Sequence, residues 1–470
     1  MANLVHAAQR KAFSVVLDNV MKKAEKSRGE GYVEVINYMQ KLMGDTWPDS
    51  AYDKLRNTFS KGGKYAQFFD RILENTDTAF IKGLFMSIGF EAAFTGYRKV
   101  KANEKKYGCH LPWLIIFDPT SACNLKCIGC WAAEYGYKSS LTWEQMDDLV
   151  TQGKELGIHA YIMTGGEPTV RKRDIVKLAK KHYDCAFMLF TNGTLVDQEF
   201  CDGMRESKNI ILSMSIEGDE EATDSRRGKG TFQKIMNAMN LLHENGLVYG
   251  TSICYTSANY KAVTSDEFID FLIDKGVTFS WYFHYMPIGN DADVSLLLNP
   301  EQREYMYNRI REIRGWEGGK QLFCMDFQND GQFVHGCIAG GKHYCHINSN
   351  GDVEPCVFVH YSTANIKEKP LIDCLRQPLF MKYQQAQPFN ENMLQPCPML
   401  ENPEILREIV KQSGAKSTDM ISPESVDHLC DKCEQYAKDW DPVADRLWKQ
   451  GHPDYVPSEK SRVEELVKES

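Results

Sequence analysis

The chain has 470 residues, of which 43% are hydrophobic, 25% charged and 11% aromatic. That is ordinary for a folded globular protein, enough for about three domains, and it excludes disorder as the main state. The 55 Lys and Arg against 64 Asp and Glu leave a net charge of −9, so no overall basic field draws the protein to nucleic acid or an anionic membrane.

Residues 1 to about 108 read as helices. Val33, Ile36, Met39 and Leu42 recur at helical spacing, as do Tyr65, Phe68, Phe69, Ile72 and Leu73. The opening MANLVHAAQRKAFSVV lacks the pattern of a signal peptide. The most apolar stretch, Phe80 to Tyr97, is interrupted by Lys82 and Glu91 and is too short to span a bilayer. A reducing, cytoplasmic setting is therefore expected. From Trp113 the pattern changes to short apolar runs at 113–117, 159–163, 185–190, 209–216, 247–256 and 277–286, with helical patterns between most of them. One of these helices should start at a capping box of Thr142 and Gln145 and stop at Gly157. Strands alternating with helices imply parallel βα units, and six of them make an incomplete barrel or an open sheet. Either places its site at the carboxyl ends of the strands. After about residue 320 Cys, Gly and Pro cluster in loops, with a hairpin expected at Asn350-Gly351. The expected division is 1–108 helical, 109–320 barrel, 321–440 Cys-rich and 441–470 a charged, solvated helical tail.

Fifteen cysteines, an odd number gathered in close clusters, fit metal or redox chemistry better than a disulfide scaffold. Directly after the first strand comes DPTSACNLKCIGCW, with Cys123, Cys127 and Cys130 spaced C-x3-C-x2-C. Three thiolates on one loop can hold three irons of a cubane and leave the fourth open, whereas structural zinc wants a fourth ligand that is not close in sequence. With this triad the sequence resembles the radical S-adenosylmethionine (SAM) superfamily from about Leu114 to Met286. The resemblance implies an α/β fold, a partial (β/α)6 TIM-like barrel, in which a [4Fe–4S] cluster reductively cleaves SAM to a 5′-deoxyadenosyl radical that abstracts hydrogen from an organic substrate. It also assigns cofactor contacts. Gly165, Gly166, Glu167 and Pro168 resemble the GGEP motif that binds the SAM amino group; Thr191 and Asn192 stand in the TNG loop. Ser213, Ser215 and Glu217 come from SMSIEG, where the family contacts ribose and methionine, and Arg226 or Arg227 is the candidate partner of the SAM carboxylate. The strand WYFHYMP should lie beside the adenine. One departure is Gly129 before the third cysteine, where many members have an aromatic; Trp131 follows it instead.

Cys337, Gly351 and Cys356 resemble the opening of the auxiliary-cluster extensions called SPASM and twitch, and Cys430 and Cys433 could complete the set. The longer C-x2-C-x5-C-x3-C run is absent, so one auxiliary [4Fe–4S] cluster of twitch type is expected. Cys397 is a further candidate, leaving five cysteines for four sites, with a zinc half-site as the competing reading of the CxxC. Cys345 reads as a packing residue, and Cys109, Cys185, Cys201, Cys254 and Cys374 as core thiols. His159 reads as a core histidine, while His284, Tyr285, Asp326 and His335 are candidate acids, bases or substrate contacts. The basic stretch 171–182 could dock a flavodoxin or ferredoxin, or be a solvated helix face. A peptide and a lipid-like or isoprenoid substrate stand level. The aromatic N-terminal helices could cap a channel for the latter, touch a membrane peripherally, or simply pack on the barrel. The alternative of another class is a non-catalytic iron–sulfur electron carrier or structural metal protein, which has no need of GGEP, SMSIEG or the family-like RGKGTF stretch at 227–232.

Overall fold

The six apolar runs become parallel strands: β1 (Leu114–Phe117), β2 (Ala160–Met163), β3 (Ala186–Thr191), β4 (Ile210–Ser215), β5 (Tyr249–Tyr255) and β6 (Phe279–His284). The computed structural model describes residues 2–26, 30–43, 48–60, 64–132, 138–315 and 318–457. Each strand is four to seven residues long and is covered outside by helices such as Trp143–Leu156. The capping box of Thr142 and Gln145 starts that helix, and Gly157, at φ +101°, ends it.

Three strands were not expected in the sheet. β7 (Phe323–Asp326) extends it beyond β6, and β8 (Tyr344–Ile347) pairs in parallel with β1. β9 (Val353–Glu354) returns antiparallel to β8, with Asn350-Gly351 in the expected hairpin. The order is β7-β6-β5-β4-β3-β2-β1-β8-β9, so the sheet crosses the division expected at 320. It also curls. Phe190 on β3 meets Trp281 and Phe283 on β6 at 5.9 and 5.6 Å between ring centroids, across two intervening strands. Phe327 after β7 reaches Tyr344 on β8 at 6.3 Å, which brings the two flanks together as a partial barrel.

The N-terminal helices are α1 (Ala2–Lys26), α2 (Glu30–Met43), α3 (Asp49–Ser60), α4 (Lys64–Asn75), α5 (Thr78–Leu84), a π-helical stretch Phe85–Gly96 and α6 (Tyr97–Tyr107). Among the described residues their contacts with the sheet are at the amino ends of the strands. Arg71 on α4 donates to the carbonyls of Ile273, Val277 and Gln321, just ahead of β6 and β7. Phe80, Ile81, Met86, Phe90 and Phe94 are buried, and Gly96 abuts Gly157 and His159 just ahead of β2. Glu91, fully buried, accepts from Arg10 and pairs with His6, which fastens α1 to the π-helical turns. The helices thus close the amino ends of the strands, opposite the cysteine loop. No helix among the described residues is long and apolar enough to cross a membrane.

At the other end of the chain, helix Val426–Gly451 runs through residue 440 and buries Trp440, Ala444, Leu447 and Trp448. The expected solvated tail is therefore packed as far as that helix extends; residues 458–470 lie outside the described residues.

Candidate active site

The cysteine loop leaves β1 at Asp118 and is knitted to the loops after β2, β3 and β4. Thr120 and Ala122 accept through their carbonyls from the backbone N–H groups of Gly166 and Glu167, at 3.0 and 2.9 Å. A Cβ on Gly166 would stand 2.4 Å from the carbonyl oxygens of Ser121 and Ala122, and one on Gly165, at φ +99°, 2.7 Å from Asp118. These glycines are therefore required for close approach to the cysteine loop. The expected reason, approach to the ligand, is not the one this contact shows. Asn192 donates to Asn124, which in turn donates to Thr194, at 2.9 and 2.8 Å. Ile128 donates its N–H to the Arg226 carbonyl, and the Arg226 guanidinium donates back to the carbonyls of Ile128 and Gly129.

Glu167 is 1% exposed. Its Oε1 accepts from Thr191 Oγ1 at 2.6 Å and from the backbone and hydroxyl of Thr169; Oε2 accepts from Asn192 N–H at 2.7 Å. It binds the GGEP and TNG loops to each other, with Pro168 opening the short 3-10 turn that follows. Glu217 plays the matching part after β4. Its Oε1 accepts from Arg226 at 2.6 Å and from Arg227 at 2.5 and 2.9 Å. Burial opposes the charge on Arg226, but Glu217, with Cys254 and Cys130, outweighs it and keeps the guanidinium cationic. Both arginines are thus already paired, and Arg227 also reaches Cys127 Sγ at 4.0 Å. Burial raises the Cys127 thiol, and Arg227 draws it back toward the thiolate. Two buried oxygens nearby have no hydrogen-bond partner: Glu217 Oε2 and Ser213 Oγ. Ser215, next along the same face of β4, is half-buried.

Cys254 was read as a core thiol, and the structure corrects this. Ser213 and Ser215 stand beside Gly250 and Ser252 in register, so Cys254, two residues on, shares their face and lies against Arg226 and Glu217. The period of two along β5 carried that signal. Of the other candidates, His284 is buried on the Tyr285 carbonyl and the Tyr436 hydroxyl, and burial and Arg303 push it down to about 3. Asp326 accepts from Tyr255 and Asn329. Both belong to a network behind the strands. The ring of Tyr285 lies against Gly129, whereas Trp131 turns away to meet His346, Phe358 and His360. His335 sits at φ +56° in the loop before Cys337.

All five auxiliary candidates come into one neighbourhood. Cys337, Cys356, Cys397 and Cys430 all act electrostatically on the Tyr383 hydroxyl, with Cys433 one turn from Cys430 on helix Val426–Gly451. Cys337, Cys356 and Cys397 each accept a backbone N–H, from Ala339, Phe358 and Leu400, at 3.4 to 3.5 Å. Among the described residues all fifteen cysteines are free, and no three His, Cys, Asp or Glu side chains are close enough to hold one metal ion. The thiolates of a cubane each bind a different iron and do not need such a tight nest.

Residues 117–273 match the radical SAM superfamily, and residues 337–399 the iron–sulfur cluster-binding domain SPASM. The chain thus carries a radical SAM domain and a SPASM domain. Fe-coproporphyrin III synthase of Methanosarcina barkeri is 24% identical over 232 residues, which span 47% of this chain and 57% of that protein. Mycofactocin maturase MftC of Mycolicibacterium smegmatis is 27% identical over 267 residues, 53% of this chain and 66% of the relative. Streptococcus suis SuiB bound to S-adenosylmethionine shares the fold, with a TM-score of 0.53 at 20% identity over 73% of this chain and 82% of that one.

The radical SAM domain takes a [4Fe–4S] cluster and SAM, and the SPASM domain takes auxiliary iron–sulfur clusters. The residues present fit both. Three neighbouring thiols stand beside an arginine pair and two unpartnered buried oxygens, and three further cysteines are already supplied with N–H donors. The SPASM match includes Cys397 and stops short of Cys430 and Cys433.

Proposed function

We propose that the chain takes a hydrogen atom from an apolar, uncharged part of an organic substrate held inside the barrel. Cys123, Cys127 and Cys130 would hold the cluster, while the loops of Gly165–Pro168, Thr191–Asn192 and Ser213–Glu217, with Arg226 and Arg227, would hold SAM. When bound, cluster and SAM supply a radical able to take hydrogen from an unactivated C–H bond. The chain's own part is to position the substrate and keep water away from that radical.

The observation that carries this reading is the lining of the curled sheet. Phe190, Trp281, Phe283, Phe327 and Phe358 form one connected set of rings, with centroids 5.2 to 6.4 Å apart. They carry no charge, and they contain one buried donor without a partner, Trp281 Nε1. Such a lining favours a bulky apolar group bearing a single hydrogen-bond acceptor. A lipid-like or conjugated small molecule meets that description whole; a peptide meets it through an apolar side chain, and this remains the second reading. The relatives' names, a synthase of an iron porphyrin and a maturase, are compatible with either.

The test is anaerobic incubation of iron-loaded protein with SAM and dithionite, read as 5′-deoxyadenosine. The parent should form it and the Cys123→Ala, Cys127→Ala, Cys130→Ala variant should not. Iron-loaded parent that fails to bind SAM by calorimetry overturns the reading and leaves the electron carrier in its place. Apolar small molecules and peptides added in parallel, scored by uptake of substrate deuterium into 5′-deoxyadenosine, separate the two substrate classes.

A further inference from the structure

Two phenols stand among the SPASM cysteines. Tyr344, on β8, donates its hydroxyl to Cys356 Sγ at 2.7 Å. Tyr383, on helix Pro378–Ala386, is fully buried, and its hydroxyl has no hydrogen-bond partner. The thiols of Cys337, Cys356, Cys397 and Cys430 act on that hydroxyl electrostatically, and it is hydrogen-bonded to none of them.

The position of Tyr383 is enforced. Gly340, three residues after Cys337, has φ +65°, and a Cβ there would stand 2.6 Å from Tyr383 Cβ. The same glycine donates its N–H to the Pro355 carbonyl at 2.9 Å, which brings the Cys337 loop onto the residue before Cys356. Phe389 packs edge-on to the Tyr383 ring at 5.4 Å. The hydroxyl therefore cannot swing out to water. A buried donor left without an acceptor costs about 1–3 kcal/mol, and native folds keep few such groups without a use for them.

We propose that Tyr344 and Tyr383 are hydrogen-bond donors to the sulfur of the auxiliary iron–sulfur centre, and that they hold its reduction potential above the value thiolate ligation alone would set. The inference rests on the SPASM cysteines holding such a centre. Its physical basis is charge: reduction adds an electron to an already anionic centre, and a donor aimed at sulfur stabilises the more negative state. Groups of this kind, outside the ligand set, are known levers on a metal centre. Tyr344 acts through Cys356. Tyr383 bonds none of the thiols, so the sulfur it would reach is one the centre itself supplies.

The experiment uses the full chain carrying Cys123→Ala, Cys127→Ala and Cys130→Ala, whose remaining iron is auxiliary. Tyr344→Phe, Tyr383→Phe and the double variant are added, each removing only a hydroxyl. Iron and sulfide are counted, and the midpoint is read by an EPR-monitored redox titration. Both single variants should keep their iron and shift to lower potential, and the double variant should shift further. An unchanged or raised midpoint in Tyr383→Phe with iron intact overturns the proposal. Loss of iron from Tyr383→Phe also overturns it, because a donor that only tunes leaves the ligands in place. A triple-alanine parent holding no iron would instead remove the auxiliary centre on which the inference rests, an outcome distinct from either.

Discussion

The two acidic residues of the site's motifs, Glu167 and Glu217, are both buried and both used within the protein, but differently. Glu167 has donors on both oxygens. Glu217 collects two guanidinium groups on Oε1 and leaves Oε2 unpartnered. Glu217 therefore has one oxygen used by the loops and one left over, which on the proposed reading would face SAM. In Glu217→Gln the arginine pair loses its counter-charge and one oxygen becomes an amide donor. Charge-assisted hydrogen bonds contribute about 1.5–3 kcal/mol each, so SAM affinity by calorimetry should fall roughly ten- to hundredfold, while iron content stays near that of the parent. Unchanged affinity would confine Glu217 to holding the arginines. The motif residues could be found in the sequence because strand ends and glycine-rich loops mark them. Their partners could not, since Glu167 and Thr191 meet across 24 residues and Cys254 faces the site only through the register of β5 on β4.

The legibility of the strands follows the same division. β1 to β6 are apolar runs set between helical patterns, and both signals are local. β8 is four residues in a loop-rich stretch, and its neighbour β1 lies some 230 residues earlier, so its place in the sheet is a tertiary fact. What fastens it is His346, buried between Asp118, just after β1, and Glu354 on β9, at 3.0 and 2.6 Å. Both ring nitrogens face carboxyl groups, which suits the doubly protonated ring, with burial also raising Asp118. Burial works against that charge, but Asp118 and Glu354 hold His346 up to about 10. A basic group whose pKa is raised in the folded state adds stability that is fully present below its unfolded pKa, about 6.5, and is lost as pH rises through the folded value. Iron-free protein should therefore lose thermal stability steadily from about pH 6.5 to about pH 10. His346→Gln should be less stable at pH 6.5 and show a flatter profile across that window. A parallel fall in both proteins would place the sensitivity elsewhere.

Across the whole molecule the two ends of the strands are treated oppositely. The amino ends are sealed by the N-terminal helices, with Arg71 on three carbonyls. The carboxyl ends carry the cysteine loop, whose Ile128, between two of the cysteines, is 65% exposed. On the proposed reading, an electron donor would approach over that exposed loop. The basic stretch 171–182 lies on the outer helix Lys172–Lys181 and the turn before it, and its cations are matched in place. Lys172 meets Asp197, Arg173 meets Glu199, Lys180 meets Glu206, Lys181 meets Asp147 and Arg171 meets Asp174, while Lys177 lies over the ring of Trp143 at 3.7 Å. A row of cations that, Lys177 apart, all stand beside carboxylates presents little net field beyond a Debye length, about 8 Å at physiological salt. Those pairs favour the solvated-face reading over docking of an acidic protein there. Arg173→Gln with Lys180→Gln removes two of the most exposed cations of the row. With reduced flavodoxin as electron source, 5′-deoxyadenosine formation should stay within about twofold of the parent, with the same dependence on ionic strength, because surface pairs of this kind contribute at most about 1 kcal/mol. A tenfold loss that added salt reproduces in the parent would return the docking site to this helix. Substituting the exposed Ile128 by Asp should instead slow the flavodoxin-driven reaction and spare the dithionite-driven one, since only the protein donor must approach over that side chain.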